Sequence, residues 1–237
     1  MLDTNGLPEG SHARVHGPHW CPVSSSAIPT RVVLLSGPSG SGKSSLAART
    51  DLPVLRLDDF YKEGDDPTLP VVAGSTDIDW DSPRSWDADA AVAAIVELCR
   101  TGRTAVPVYS IATSSITGSA AFGIDRTPLF IAEGIFAADI VGRCQELGVL
   151  ADAICLRGRP STTFRRRLLR DLREGRKSVA FLLRRGWRLM LAERAIVTRQ
   201  AALGAHPCGR DEALGRIANA AAGRCRTAPA AAWSPSR

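Results

Sequence analysis

Residues 31–44 read Arg31-Val32-Val33-Leu34-Leu35-Ser36-Gly37-Pro38-Ser39-Gly40-Ser41-Gly42-Lys43-Ser44, and this stretch decides the fold. The apolar, β-branched run 31–36 predicts a short buried strand. Residues 37–44 fit GxxxxGK[ST] at every fixed position, and residues 43–50 predict the start of a helix. Strand, glycine-rich turn and helix in that order form a loop built to hold phosphate. The glycines let the backbone wrap tightly, so that successive N–H groups turn inward toward phosphate oxygens. The helix that follows adds its positive end. Lys43 is expected to reach the β- and γ-phosphates of ATP, and the Ser44 hydroxyl to bind Mg2+. Gly37, Pro38, Ser39, Gly40, Ser41, Gly42, Lys43, Ser44 and Ser45 make up the expected ATP site. An incidental Gly/Ser turn would not bring both the pattern and its flanking elements.

Outward from this loop, strand-like and helix-like segments alternate. Residues 54–57, 105–108, 129–132 and 153–156 predict four further strands. Residues 87–101 carry Ala, Val, Ile and Leu at helical spacing and stop at Gly102. Residues 160–173, 179–199 and 211–222 predict three more helices. The alternation implies an α/β fold of the P-loop nucleotide-binding kind. It is a three-layer sandwich: a mostly parallel five-stranded sheet with helices on both faces. A helical, arginine-rich lid is expected at about 160–186. Residues 1–29 read as a flexible leader, 30–222 as one domain and 223–237 as a flexible tail.

Composition narrows the function classes. The chain has 237 residues, 44% of them hydrophobic, which suits one domain with a sizeable core. No apolar run approaches the roughly 20 residues of a membrane span, and residues 1–29 lack the apolar block of a signal peptide. The expected location is the cytoplasm. Six cysteines are scattered without a CxxC pair, so neither a disulfide framework nor a zinc site is expected. The net charge is +6, and residues 157–194 hold thirteen Arg or Lys against three Asp or Glu. A local cluster of that kind suits a phosphate-gripping lid. It lacks the interleaved aromatics of a nucleic-acid face, with only Phe164, Phe181 and Trp187 nearby.

Two acids complete the chemistry. Glu133 ends the apolar run Leu129-Phe130-Ile131-Ala132, where a carboxylate can hold magnesium directly or through water. Asp58, in Leu57-Asp58-Asp59-Phe60-Tyr61-Lys62, follows the second strand and would face the γ-phosphate side of the cleft. There it can accept the proton of an attacking hydroxyl. GTPases are disfavoured by the lack of an NKxD base reader, and helicases and AAA machines by length. A small kinase is the expected class.

The order and spacing of these segments resemble the uridine kinase branch of the P-loop kinases, with phosphoribulokinase and pantothenate kinase as more distant relatives. The carriers are GPSGSGKS (37–44), DDFYK (58–62), DWDSPRSWD (79–87), PVY (107–109), FIAEGIF (130–136) and RRRLLRDLREGR (165–176). The resemblance covers about residues 31–200. It implies ATP and Mg2+ as cofactors and a nucleoside 5′-hydroxyl as acceptor. Asp58 matches the family's catalytic acid, and Tyr61 the tyrosine that shapes the acceptor site. Asp81 matches the aspartate that holds the ribose hydroxyls, with Trp80 in place of the phenylalanine before it. Tyr109 matches the tyrosine that lines the base pocket. Arg167 and Arg170 match catalytic lid arginines, and Arg176 matches the arginine of the lid's Gly-Arg pair, which meets the substrate.

The family's P-x-Y-D-x-x-x-H-x-R pattern is broken. Ser110, Ser114 and Ile116 stand where it has an acid, a histidine and an arginine, and Arg184 stands near its base-reading glutamine. Phosphoryl-transfer parts are kept and base-reading parts are changed, which implies weak discrimination between bases or a different acceptor. A pantothenate- or sugar-like alcohol, and a non-catalytic ATP-binding regulator, stay open as alternatives. The expected partner is a small-molecule acceptor, with neither nucleic acid nor membrane, and homo-oligomerisation is left open.

Overall fold

The computed structural model describes residues 30–125, 127–158 and 193–223. Its main sheet has five strands: β1 (Arg31–Ser36), β2 (Val54–Arg56), β5 (Leu129–Glu133), β6 (Leu150–Leu156) and β7 (His206–Cys208). Their spatial order is β2-β5-β1-β6-β7, and every pairing is parallel. Helices α1 (Lys43–Ala47), α2 (Ala88–Thr101), α3 (Val141–Glu146), the helical residues 193–202 (α4) and α5 (Arg210–Ala221) cover it. No helix among the described residues is long and apolar enough to cross a membrane.

Period-two alternation divides the core between the two faces of the sheet. On one side Val32 and Leu34 of β1 and Phe130 and Ala132 of β5 pack with Ala91, Val92, Ile95 and Leu98 of α2. On the other, Val33, Leu35, Leu129 and Ile131 pack with Leu46 of α1 and Ala213 and Ile217 of α5. A strand buried on both faces has no polar phase, so the runs VVLL (32–35) and LFIA (129–132) are unbroken.

Helix α2 is bounded by its own sequence. The Asp87 carboxylate accepts from the Ala90 N–H at 2.9 Å, and Gly102, at φ 75°, returns its N–H to the Leu98 carbonyl. These are a polar N-cap and a left-handed glycine stop.

The strand expected at 105–108 is real but lies outside the main sheet. It is part of β3 (Arg103–Ser110), which pairs antiparallel with β4 (Ser115–Gly123) as a separate two-stranded arm. The fifth place in the main sheet goes to β7 instead. Both β4 and β7 escape sequence reading for physical reasons. β4 is Ser/Gly/Ala-rich and mostly exposed, so no burial forces an alternating pattern on it. β7 is three residues long and contains Pro207, which an edge position tolerates. The helices expected at 160–173 and over most of 179–199 lie outside the described residues, as do Arg167, Arg170, Arg176 and Arg184, the lid, residues 1–29 and residues 224–237. The last expected helix, 211–222, is α5 displaced by one residue.

Candidate functional site

The strand order sets three chemical groups side by side. β2, β5 and β1 are neighbours, and their carboxyl ends carry Asp58, Glu133 and the 37–44 loop. Parallel α/β sheets bind ligands at that edge.

The loop is shaped by glycines where nothing else fits. Gly37 has φ 140°, and a Cβ there would lie 2.5 Å from the Leu156 carbonyl oxygen of β6. Gly40 and Gly42 also have positive φ, at 80° and 96°. A turn hydrogen bond from Ser41 N to Pro38 O, 3.1 Å, closes the curve. Lys43 is 7% exposed, and its Nζ donates to the Gly37 carbonyl at 3.0 Å and the Pro38 carbonyl at 3.4 Å, strapping the loop across its own backbone. The Ser41 hydroxyl is buried without a hydrogen-bond partner among the described residues. An orphaned hydroxyl and an enclosed ammonium inside a glycine curve fit a polyphosphate.

Ser44 and Glu133 meet directly. The Ser44 hydroxyl donates to Glu133 Oε1 at 2.7 Å, and Glu133 is 7% exposed. A hydroxyl against a buried carboxylate is an all-oxygen pair of the kind that suits magnesium.

Asp58 opens a short turn, Leu57–Phe60, beyond β2. Its Oδ1 accepts from the Ile135 N–H at 3.4 Å. Gly134 permits that approach: a Cβ there would lie 2.8 Å from Leu57 Cβ and 3.1 Å from Asp58 Oδ1. Asp59 turns the other way, 3.7 Å from the Arg56 guanidinium. Burial, with the Asp58 charge adding, holds its carboxyl above the usual range against the pull of Arg56. The two adjacent acids are therefore not equivalent: only Asp58 touches the β5 loop.

Two of the residues expected on the acceptor side, Trp80 and Tyr109, gather around a third, Tyr61. Its ring lies 5.9 Å from both Trp80 and Tyr109 and 6.0 Å from Phe136, and its hydroxyl donates to the Trp80 carbonyl at 3.3 Å. The Tyr109 hydroxyl donates to the Lys62 carbonyl at 3.1 Å; burial raises its pKa, with a hydrogen bond to Ser114 pulling the other way. Tyr61, Trp80 and Tyr109 thus come together from three separated segments, and Asp81, itself exposed, follows Trp80 between half-buried neighbours. The β3–β4 arm, which carries Tyr109, is tied to the segment just past Tyr61. The Ser114 carbonyl accepts from Gly64 N at 2.7 Å, and Ile116 N donates to Glu63 Oε1 at 3.2 Å. Half-buried Ser110 stands in the same arm. A cleft of about 470 Å³ opens between residues 60–67, the start of α2 and this arm. Tyr61 and Ile116 line it; the 37–45 loop, Asp58 and Glu133 do not.

Sequence reading missed two contributors. Phe136 meets Tyr61 edge to face and lies, tilted, 6.0 Å from the Trp86 ring. Its signal was present in the FIAEGIF run. Buried Gln200 donates from Nε2 to the Ile135 carbonyl at 2.9 Å, and nothing in its local sequence marks it.

No family model matches the chain. In sequence it is similar to the uridine kinase of Schizosaccharomyces pombe, 32% identical over 121 residues. That match spans 45% of this chain and 25% of the relative, about a quarter of its length. Among solved structures, a candidate fructose transport system kinase from Silicibacter sp. TM1040 superposes with a TM-score of 0.52 at 21% identity, over 71% of this chain and 84% of that one. A candidate uridine kinase from Bacillus stearothermophilus gives 0.41 at 17% identity, over 57% and 74%. The resemblance read from the motifs thus has a counterpart in a curated uridine kinase, and the α/β sandwich is shared with a solved structure.

Proposed function

We propose that this chain is an ATP-dependent kinase that moves the terminal phosphoryl group onto the hydroxyl of a small acceptor, in the first instance the 5′-hydroxyl of a nucleoside. The observation that carries the reading is the row of Asp58, Glu133 and the phosphate loop on the adjoining strands β2, β5 and β1. Phosphoryl transfer needs an acid beside the acceptor, cations on the phosphates and little else. The loop amides and Lys43 bind the triphosphate. Ser44 and Glu133 would hold magnesium, which when bound neutralises charge between the β- and γ-phosphates. Asp58 orients the acceptor hydroxyl and takes its proton at Oδ. Tyr61, Trp80 and Tyr109 provide apolar faces for the acceptor, and Asp81 accepts hydrogen bonds from its sugar. Arg167, Arg170 and Arg176 complete the charge balance around the transferred group. Most of the acceleration then comes from position and charge. This reading includes a cytoplasmic location and no nucleic-acid partner.

A second acceptor class, a sugar- or pantothenate-like alcohol, is favoured by Ser110, Ser114 and Ile116, which replace the acid, imidazole and guanidinium of the base-reading pattern. ATP consumption with uridine, cytidine, adenosine, pantothenate and fructose tests both. Turnover with nucleosides is the expected result. Turnover with fructose or pantothenate alone moves the acceptor to the second class. ATP binding without turnover on any acceptor overturns the enzyme reading in favour of a regulator.

A further inference from the structure

Ile135 is held on both sides of its backbone. Its N–H donates to Asp58, and its carbonyl accepts from the Gln200 amide. Gln200 lies on α4, is 1% exposed, and at its other end accepts from the Cys155 thiol of β6 at 3.0 Å. Chemistry fixes the orientation of that amide. A carbonyl only accepts, so the NH2 must face Ile135, and the oxygen is left for the S–H donor. Burial pushes the Cys155 thiol up to about 11, so it keeps the proton it donates. The same helix is tied to the β5 side a second time, by the Arg199–Asp139 ion pair.

The consequence is mechanical. β5 and β6 flank β1, and Gln200 spans from β6 to the loop just past β5. That loop begins with Gly134 and Ile135, directly after Glu133, and at Gly134 there is no room for a Cβ beside Leu57 and Asp58. A buried amide with both ends satisfied is rigid, and removing it would take the side-chain donor from the Ile135 carbonyl and the acceptor from the Cys155 S–H.

We propose that Gln200 is a positioning residue, which fixes Ile135 and through it the Asp58 carboxylate at the distance set by the β5 loop. The inference rests on the reading of Asp58 as the acid that serves the acceptor hydroxyl. The test is a double-mutant cycle with ATP and uridine, comparing Gln200→Met, which conserves volume, in the native and Asp58→Asn backgrounds. In the native background kcat falls about tenfold while KM for ATP changes less than about twofold. In the Asp58→Asn background the further loss is under about twofold, because there is no base left to position. Equal losses in both backgrounds, or no loss in the first, overturn the inference. An Asp58→Asn variant with native kcat instead overturns the reading of Asp58 beneath it. Cys155→Ala, which frees the far end of the amide, runs the same cycle with a smaller drop and serves if Gln200→Met does not fold. Amide exchange over residues 133–136 needs no acceptor. It speeds up about tenfold or more in either variant relative to β1, and unchanged protection overturns the inference whatever the turnover shows.

Discussion

The two halves of the proposed site, one for phosphate and one for the acceptor, are built differently. On the phosphate side, Ser41, Lys43 and Glu133 are each no more than 7% exposed, and the backbone itself forms the site. On the acceptor side, Asp81 is exposed, Ile116 is 44% exposed, and the aromatic faces come from side chains in separated segments. Charge differs as well. Residues 58–87 hold nine carboxylates against two basic residues, in a chain whose net charge is +6. A site made of backbone within one short stretch is intolerant of change. A site made of half-buried and exposed side chains on loops and an arm can change its reader without disturbing the sheet. The departure from the resembled pattern at 110, 114 and 116, beside an unbroken phosphate loop, is in keeping with that difference.

The largest expected effect lies on the phosphate side. Lys43→Ala removes a direct charge contact to the transferred group and lowers turnover by about 10³–10⁵, the worth of a cation at this transition state. Steady-state kinetics with the fold checked by circular dichroism reads it, and native-like turnover would break the comparison at its strongest point. Next is Asp58→Asn, which keeps ATP binding and lowers kcat by about 10²–10⁴. Asp59→Asn, whose carboxylate faces Arg56, lowers it less than about threefold; a reversal of the two means that the base is Asp59. Third, Gly37→Ala forces a methyl against the Leu156 carbonyl at an unfavourable φ and destabilises by about 1–3 kcal/mol in chemical denaturation, whereas Ser114→Ala on the acceptor side costs less than about 1 kcal/mol. Equal costs would erase the contrast between the two sides. The smallest effect is in base choice. With weak readers at Ser110, Ser114 and Ile116, kcat/KM for uridine and cytidine differ by less than about tenfold, or about 1.4 kcal/mol. Asp81→Ala lowers both together, because its proposed contact is with their shared sugar. A strong preference for one pyrimidine would show that the acceptor side is as specified as the phosphate side.

The same contrast explains what was legible in the sequence. The phosphate loop announces itself because residue type, spacing and flanking elements are all dictated locally by one backbone curve. Strands β1 and β5 were legible because burial on both faces leaves continuous apolar runs. The arm was half legible. Val106 and Val108 gave β3 a β-like character, but membership of a sheet depends on a partner, and β4 carries no burial pattern to announce one. Gln200 was illegible because its role is set by Ile135 and Cys155, far away in sequence and joined only by the fold. Tyr61, Trp80 and Tyr109 came from resemblance, and no local period would have paired them.

The strand order has a consequence during synthesis. Both neighbours of β1 arrive late: Arg31 pairs with Leu129, and Val32 with Leu150. Ser44 and Glu133 stand 89 positions apart. A nascent chain that has left the ribosome only as far as residue 128 carries the whole nucleotide motif in its sequence, yet neither edge of β1 has a strand to pair with. Such an apolar strand with two open edges is a template for association with other chains. Contacts this distant also slow folding, since the intervening loop must close before any pairing rewards it. The phosphate-loop motif thus leaves the ribosome well before the strands that frame it, and in the interval β1 is open to association with other chains.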